Sequence, residues 1–315
     1  MWLYLAVLMG LYFLLRWYRE RQTVENLRDK YVFITGCDSG FGNKLAKQLD
    51  TQGLRVLAAC FTQEGAEELE RLTSDRLKVT ILDVSSTESV NAATEWVKRI
   101  VGSKGLWGLV NNAGIGFPVA PNEWLTKDDF TKVINVNLLG LIDVTLHLLP
   151  LVRAARGRVV NVASSVGRVT VTGGGYSPSK YGVEAFSDSL RRELLPFGVR
   201  VSIIEPGAFA NSIILTAMEN IKSTWDRVSS DVKEIYGQQY FNSYFKVLQD
   251  VNKSANPNLY LVTDCMEHAL TSRYPRTRYS AGWDAKFFYI PLSYMPTFLA
   301  DCMLARFAPK PALAV

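Results

Sequence analysis

Tyr176 and Lys180 lie four residues apart in the run YSPSKYGVEAF, and Ser164 precedes the tyrosine by twelve positions. Apolar residues recur every three or four positions after Gly175, which predicts a helix that places the phenol and the ammonium on one face. A free tyrosine titrates near about pH 10, and a neighbouring cation favours its phenolate form. The pair therefore has the composition of a proton-transfer group that needs no histidine. By themselves, a tyrosine and a lysine at this spacing are most often surface residues, so a functional role for the pair depends on the other motifs of the chain.

The composition excludes several other kinds of site. The 315 residues are 48% hydrophobic and 21% charged, which is typical of a globular protein with a sizeable core. The net charge of +5 is mild, and no run of lysine or arginine predicts a nucleic-acid surface. The four cysteines include no CxxC pair, and His147 and His268 lie in apolar helical runs where a structural role is expected. We therefore expect no metal site, no disulfide framework and no Ser-His-Asp hydrolase.

The first residues of the chain are unlike the rest. Residues 2–15 carry no charge, and as a helix they would span about 21 Å, against about 30 Å for the hydrocarbon core of a bilayer. Trp17 and Tyr18 suit the membrane interface. Three basic residues adjoin the apolar run: Arg16, Arg19 and Arg21. Without a basic leader or a small-residue cleavage site, residues 1–18 are predicted to be an uncleaved signal-anchor rather than a removed signal peptide, and the arginines favour a cytosolic position for the rest of the chain.

From residue 30 onward, short runs rich in Val, Ile and Leu alternate with amphipathic runs. This alternation predicts an α/β fold with a Rossmann-type, doubly wound parallel sheet, forming a single domain over residues 28–285. The helical and aromatic stretch 208–260 interrupts the rhythm after a strand, where a substrate lid belongs in such a sheet. The C-terminal segment 286–315 is apolar but broken by prolines, so it does not predict a membrane-spanning helix. It either rests on a membrane surface, covers a pocket or packs into the core.

A glycine-rich loop joins the first strand to the first helix of this sheet. Such glycines let the backbone approach a pyrophosphate, and the helix N-terminus offers free N–H groups to it. The predicted cofactor-binding residues of the loop are Thr35, Gly36, Asp38, Ser39, Gly40, Phe41 and Gly42. The end of the second strand, LAACFT, carries neither an acid for a ribose 2′-hydroxyl nor a base for a 2′-phosphate. Asp38 would repel that phosphate and accept from ribose hydroxyls, which favours NAD over NADP.

With these motifs in order, residues 28 to about 210 resemble the short-chain dehydrogenase/reductase family. Besides the glycine loop and the YxxxK pair, the matching motifs are Leu82-Asp83-Val84, Asn111-Asn112-Ala113-Gly114, Asn137 in NVNLLG, Ser164 in NVASSVG, and Pro206-Gly207. The whole chain is similar to the subgroup of membrane-bound retinol dehydrogenases that also oxidise hydroxysteroids. That similarity is carried by MWLYLAV, GLWGLVNNAG, SKYGVEAFSDSLRREL and VTDCMEHALTSRYPRTRYSAGWDAKFFYIPLS.

The resemblance implies a role for each matching residue. Tyr176, as phenolate, would take the proton of an alcohol, while Lys180 lowers the tyrosine pKa and holds the nicotinamide ribose. Ser164 would bind the substrate oxygen, with Ser165 as a second candidate because Ala163 stands where the subgroup has serine. Asn137 would hold a proton-relaying water, or else its side chain satisfies a bend in the helix. The further cofactor-binding residues implied are Asp83, Asn112, Ala113, Gly114, Pro206, Gly207 and Asn211, the last in place of the family's usual threonine.

The subgroup also implies NAD, the membrane of the endoplasmic reticulum, and lipophilic substrates such as all-trans-retinol and 3α- or 17β-hydroxysteroids. In the family that the chain resembles, the helices that carry Asn137 and Tyr176 often form a dimer face, so the resemblance also implies a homodimer. Two other hypotheses stay open at this point. One is an NADPH-dependent carbonyl reductase of the same fold. The other is a non-catalytic protein that holds a lipid, against which the complete set of Asn137, Ser164, Tyr176 and Lys180 argues.

Overall fold

The computed structural model describes residues 2–210, 212–306 and 308–314 of the chain. Its centre is a seven-stranded sheet in the order β3-β2-β1-β4-β5-β6-β7, and all six neighbouring pairs are parallel. The strands are β1 Tyr31–Thr35, β2 Arg55–Cys60, β3 Leu77–Ile81, β4 Gly108–Asn111, β5 Arg158–Val162, β6 Arg200–Pro206 and β7 Arg278–Ala281. The strand order reverses between β1 and β4, so their carboxyl ends form the crevice where an open α/β sheet binds its ligand. The predicted Rossmann-type parallel sheet is confirmed.

Helices cover both faces of the sheet. In chain order they are α1 Trp2–Glu20, α2 Gly40–Thr51, α3 Gln63–Arg71, α4 Thr87–Val101, α5 Lys127–Ile134, α6 Leu141–Ala154, α7 Tyr176–Leu194, α8 Ser212–Asp226, α9 Ser230–Ser254, α10 Tyr260–Thr271, α11 Ile290–Leu292 and α12 Thr297–Ala305. One core layer joins the sheet to α2, α3 and α10, and the other joins it to α4, α6 and α7. In β1, Val32 and Ile34 belong to the first layer and Phe33 to the second, because successive side chains of a strand point to opposite faces.

The long helix predicted after β4 contains a π-helical turn, Asn135–Gly140, between α5 and α6. Its start is fixed by a capping box in which Thr126 and Asp129 bond each other's backbone N–H groups. A π-turn inserts an extra residue into the helical ladder and is frequent at functional sites. Here it brings Asn137, which is fully buried, against the loop that follows β4.

The run Lys127–Ala154 is long and apolar enough to cross a membrane by composition alone, with a mean hydropathy of 1.6. Many of its apolar side chains, including Val133, Val144 and Leu148, are instead buried in the protein core, whereas Leu139 and Leu146 are exposed. This run is therefore a core helix beside the sheet. The described side chains of α1 differ, because all of them except Glu20 are exposed to solvent.

The end of α1 is fixed to the domain by a group of polar contacts. Arg276 donates from Nε to Glu20 Oε1 at 2.7 Å, and His268 Nε2 lies 2.9 Å from the Glu20 carbonyl oxygen. The other ring nitrogen of His268 lies 2.7 Å from the Tyr279 hydroxyl. His147 likewise has a local partner, the carbonyl oxygen of Asp143 at 2.9 Å. Both histidines therefore have the structural roles expected from the sequence.

Candidate active site

A cavity of about 1260 Å³ opens at the carboxyl edge of the sheet. The loops after β1, β4, β5 and β6 form its inner wall, and α9 and the C-terminal segment form its outer wall. Of the predicted site residues, the following line it: Gly36, Asp38, Ser39, Gly40, Phe41, Asp83, Asn112, Ala113, Gly114, Ser164, Tyr176, Lys180, Pro206 and Gly207. Asn211 lies outside the described residues. The structure thus brings most of the predicted site together around one space.

The glycine loop is shaped by close backbone contacts. Gly36 has φ +70°, and a Cβ there would lie 2.8 Å from the Cα of Ala113. A Cβ on Gly42 would collide with the carbonyl oxygen of Gly36 and lie 2.5 Å from Asn112 Nδ2. Gly40 has φ +61°, but a Cβ there meets no atom of the described chain within 4 Å. Gly36 and Gly42 therefore allow the loop to close on itself, whereas Gly40 faces the open cavity at the N-terminus of α2, where a pyrophosphate would fit.

These surroundings predict different effects for two alanine variants. In Gly42→Ala the backbone has to shift, so we expect a loss of about 1–3 kcal/mol in the free energy of unfolding. Thermal denaturation of the detergent-solubilised protein should show this as a lower Tm. Gly40→Ala is the matched control, because its main cost is the left-handed backbone, about 1 kcal/mol. A Tm for Gly42→Ala equal to or above that of Gly40→Ala would contradict the packing argument.

Thr35 and Asn112 join the loops after β1 and β4. The Thr35 hydroxyl accepts from the N–H groups of Asn112 and Ala113, each at 3.0 Å. The Asn112 side chain donates in return to the carbonyl oxygens of Thr35 at 2.9 Å and Gly36 at 3.0 Å. Both residues therefore hold the two sides of the crevice at a fixed separation. Thr35 itself is buried, so its contribution to a cofactor site is to shape the loop.

Asp38 places a carboxylate at the end of β2. It accepts from the Phe61 N–H at 2.8 Å and from the N–H and hydroxyl of Thr62, both at 2.8 Å. The acid that is missing from the sequence of β2 is therefore supplied by the glycine loop. In folds of this class, that position is where a carboxylate meets the ribose of the adenosine half. Asp83, on the next loop, accepts from the N–H and hydroxyl of Ser85 and also lines the cavity.

Ser164, Tyr176 and Lys180 meet at the centre of the cavity. The Ser164 hydroxyl forms a hydrogen bond with Tyr176, and it lies 3.4 Å from the carbonyl oxygen of Pro206. Lys180 is 4% exposed, donates to the Val162 carbonyl oxygen at 2.8 Å, and places Nζ 5.6 Å from the centre of the Tyr176 ring. Ser165 also borders the cavity, but the hydrogen bond to the tyrosine belongs to Ser164.

The electrostatics of this group differ in one respect from the sequence interpretation. Burial raises the pKa of Tyr176 above its ordinary value, and the hydrogen bond from Ser164 acts in the opposite direction. Burial also lowers the pKa of Lys180 to about 8. The spacing alone had predicted a lowered tyrosine pKa. In the free protein, the cost of burying a phenolate outweighs the opposing effect of the hydrogen bond from Ser164 on the tyrosine pKa.

Asn137 has its side chain occupied by the protein. Its oxygen accepts from the Ile115 N–H at 2.8 Å, and its amide donates to the Ile115 carbonyl oxygen at 2.8 Å and to Ser179 Oγ at 3.1 Å. The sequence left open a water site or a side chain that satisfies a bend in its own helix, and these bonds instead join Asn137 to the loop after β4 and to α7. Asn137 therefore fixes the loop after β4 against α7 at Ser179, the residue before Lys180.

Aromatic residues hold α9 over the cavity. Trp124 packs against Trp225 with ring centres 4.6 Å apart and against Tyr244 at 5.9 Å. The cavity wall on this side is formed by Tyr240, Tyr244, Val247, Leu248 and Val251. Sequence analysis did not single out Trp124, because only the fold brings the segment before α5 into contact with α8 and α9.

The C-terminal segment completes the outer wall. Phe288, Tyr289, Leu304, Ala308 and Pro309 line the cavity, so of the three alternatives open from the sequence this part of the segment covers a pocket. Further along, the N–H groups of Ala312 and Leu313 donate to the carbonyl oxygens of Tyr236 and Ile235 at 3.0 and 3.1 Å. They pair with α9 beside Gly237, whose φ of 77° interrupts the helix. The end of the chain is thereby attached to the cavity wall.

The parallel sheet, the glycine loop at its switch point and the Ser164–Tyr176–Lys180 group define an α/β protein of the dinucleotide-binding class. Comparison with known proteins gives the family. The family described as short chain dehydrogenase matches residues 30–222, and the chain belongs to it. The predicted resemblance is thus confirmed.

Several relatives match the chain over its whole length. Retinol dehydrogenase 7 of Rattus norvegicus is 62% identical over 319 residues, covering 100% of both chains. Human 17-beta-hydroxysteroid dehydrogenase type 6 is 61% identical over 317 residues, again covering 100% of both chains. Among solved structures, a short-chain dehydrogenase from Streptomyces avermitilis superimposes with a TM-score of 0.69, covering 88% of this chain and 94% of that one at 24% identity. That structure supports the fold alone.

Proposed function

We propose that the protein oxidises a lipophilic alcohol with NAD, the substrate being all-trans-retinol or a 3α- or 17β-hydroxysteroid. The observation that carries this proposal is the continuity of one cavity. It extends from the glycine loop, past Ser164, Tyr176 and Lys180, to an apolar outer wall. A dinucleotide and an apolar alcohol would therefore meet at the tyrosine. The names of the full-length relatives support retinoid and steroid alcohols alike.

In this mechanism the bound cofactor supplies the hydride acceptor. Ser164 donates a hydrogen bond to the substrate oxygen and places the hydroxyl proton toward the phenolic oxygen of Tyr176. The phenolate takes that proton as the carbonyl forms. Lys180, whose Nζ lies 5.6 Å from the tyrosine ring, stabilises the negative charge of the phenolate. The buried position of Lys180 strengthens this attraction because little water screens it.

Asp38 supports NAD rather than NADP as the oxidant. Its carboxylate sits at the end of β2, where a 2′-phosphate on the adenosine ribose would bring a second negative charge. Three hydrogen bonds from Phe61 and Thr62 fix the carboxylate there, so it cannot readily turn away. A ribose with a free 2′-hydroxyl would instead donate to it. We therefore assign Asp38 the role of selecting the unphosphorylated dinucleotide.

The outer surface supports a place on the membrane of the endoplasmic reticulum. Helix α1 is proposed to anchor the chain, with the catalytic domain in the cytosol as the arginines after the apolar run suggest. The C-terminal segment is two-sided. Phe288 and Leu304 line the cavity, while Phe287 and Phe298 are 65% and 67% exposed, as is Trp283 just before the segment at 74%. Exposed aromatic residues of this kind suit a bilayer interface, next to which a lipophilic substrate would concentrate.

A homodimer through the Asn137 and Tyr176 helices is part of the proposal. Leu139 in the π-helical turn, Leu146 on α6 and Tyr181 on α7 are 52%, 55% and 44% exposed, as expected for a surface that another copy covers. Two functions compete with the proposed oxidation of an alcohol by NAD: those of an NADPH-dependent carbonyl reductase and of a non-catalytic lipid-binding protein. The first requires NADPH to be preferred, and the second requires ligand binding without turnover.

The proposal is tested with membranes from cells that express the full chain. We expect NADH to form with all-trans-retinol or with androstanediol, and the rate with NAD to exceed that with NADP by about tenfold or more, as for a charge repulsion of about 1.4 kcal/mol. The activity should sediment with the membranes and stay there after a high-salt wash. A clear preference for NADP would favour the carbonyl reductase. Binding of either alcohol without any reduced dinucleotide would favour the lipid-binding protein.

A further inference from the structure

Asp284 lies directly behind the loop that follows β6. Its Oδ2 accepts a hydrogen bond from the Ala208 N–H at 2.6 Å. The neighbouring Gly207 N–H donates to the Ala281 carbonyl oxygen at 2.9 Å, so the loop is attached to the β7 side at two consecutive residues. Asp284 lies within the run VTDCMEHALTSRYPRTRYSAGWDAKFFYIPLS that carries the similarity to the subgroup, but the sequence assigns it no role of its own.

Two glycines leave room for this carboxylate. A Cβ on Gly207 would collide with both carboxylate oxygens of Asp284. Gly282 has φ +95°, and a Cβ there would lie 2.6 Å from Asp284 Oδ1. Any larger residue at either position would displace the carboxylate. The loop after β6 and the turn after β7 are therefore both shaped around one acidic side chain.

The loop that Asp284 holds touches the reacting parts of the cavity. Pro206, Gly207, Ala208 and Phe209 all line it. The carbonyl oxygen of Pro206 is 3.4 Å from the Ser164 hydroxyl, at the centre of the proposed chemistry. Phe209 packs edge-on against Phe41 of the glycine loop, with ring centres 5.6 Å apart. A shift of this loop would therefore change its contacts with both the Ser164 hydroxyl and the glycine loop.

We propose that Asp284 is a positioning residue for the cofactor: it fixes residues 206–209 as the wall against which the nicotinamide end of the dinucleotide binds. This role rests on the proposed function, since it needs a dinucleotide in the cavity. Without the carboxylate, the Ala208 N–H has no acceptor and a hole opens beside Gly207, so the wall becomes mobile. Cofactor affinity then falls, because part of the binding free energy is used to order the loop.

The test measures cofactor binding directly on the full chain in detergent micelles, by NADH fluorescence titration, beside steady-state kinetics. We expect Asp284→Ala to raise the Kd for NADH by about tenfold, in keeping with the loss of a hydrogen bond to a charged acceptor. KM for NAD should rise by a similar factor, while kcat at saturating NAD changes by less than about threefold. Asp284→Asn keeps an oxygen acceptor of the same shape, and should restore the Kd to within about threefold of the unmodified protein.

Asp188→Ala is the matched control. Asp188 is a partly buried aspartate on α7. It pairs with Arg278 at 3.0 Å and with Arg191 at 3.1 Å, and it does not line the cavity. Its loss should lower Tm and leave NADH affinity unchanged. A fall in Tm for Asp284→Ala with an unchanged Kd would make Asp284 only a structural residue and overturn the proposal. So would an Asp284→Asn variant as weak as Asp284→Ala. Failure of the unmodified protein to bind NADH would instead overturn the proposed function, and this proposal with it.

Discussion

The Tyr176→Phe variant should oxidise alcohols about a thousandfold more slowly than the unmodified protein, because a positioned proton acceptor contributes on that order to the rate. The substitution removes one oxygen and leaves the ring at the start of α7 in place. It takes away the group that receives the alcohol proton and the hydrogen-bond partner of Ser164. NADH binding should change by no more than about twofold, since phenylalanine preserves the shape of the cavity wall. The two quantities are measured as kcat in membranes and as Kd by fluorescence.

Tyr181→Phe is the control for this experiment. Tyr181 lies on the same helix, is 44% exposed and borders a small separate depression rather than the main cavity. Its turnover should stay within about twofold of the unmodified protein, as for surface substitutions in general. Turnover by Tyr176→Phe near that of Tyr181→Phe would mean that another group accepts the proton. That result would not support the lipid-binding hypothesis, which requires that the unmodified protein also lacks turnover.

The sheet and the glycine loop could be predicted because local sequence determines them. The buried runs of β1, β4 and β5 are rich in Val, Ile and Leu, as expected for parallel strands covered on both faces. Gly36 and Gly42 are required by contacts between loops that follow β1 and β4, and their spacing is visible in the chain. Tyr176 and Lys180 share one turn of α7, so helical periodicity alone places them together.

Other parts of the site depend on contacts between distant segments. Asp38 reaches the end of β2, 23 residues further along, and Asp284 reaches the loop after β6, 76 residues before it. A carboxylate in either place has no periodicity or motif that would indicate its partner. The same holds for the ion pair of Arg168 with Glu205, which is 1% exposed and lies 37 residues away. The pKa of Tyr176 was predicted in the wrong direction because burial is a property of the fold rather than of the spacing.

The Lys180→Met variant should lower kcat/KM near pH 7.5 by about a hundredfold. An opposite charge within about 4–6 Å lowers the pKa of a phenol by roughly one to three units. Loss of the ammonium should therefore move the acidic limb of the pH–rate profile upward by about two units. Because the phenolate is the active form, its fraction at a fixed pH below the pKa falls tenfold for each unit of that movement. The profile of kcat/KM against pH, measured with and without the substitution, gives the size of the shift.

The sign of the pH dependence follows from the two groups together. Burial puts the pKa of Lys180 at about 8, so the lysine is charged below that pH and neutral above it, whereas Tyr176 needs a higher pH to ionise. In the unmodified protein, activity should rise with pH while the ammonium is present and then level off or fall as it loses its proton, with apparent pKa values that belong to the pair. Lys180→Met should keep only the rising limb. Lys30→Met is the control, since Lys30 stacks on Trp107 at 3.8 Å at the opposite edge of the sheet. An acidic limb that stays at the same pH in Lys180→Met would show that the ammonium does not control the phenol, and the lysine would then be left with the binding of the ribose alone.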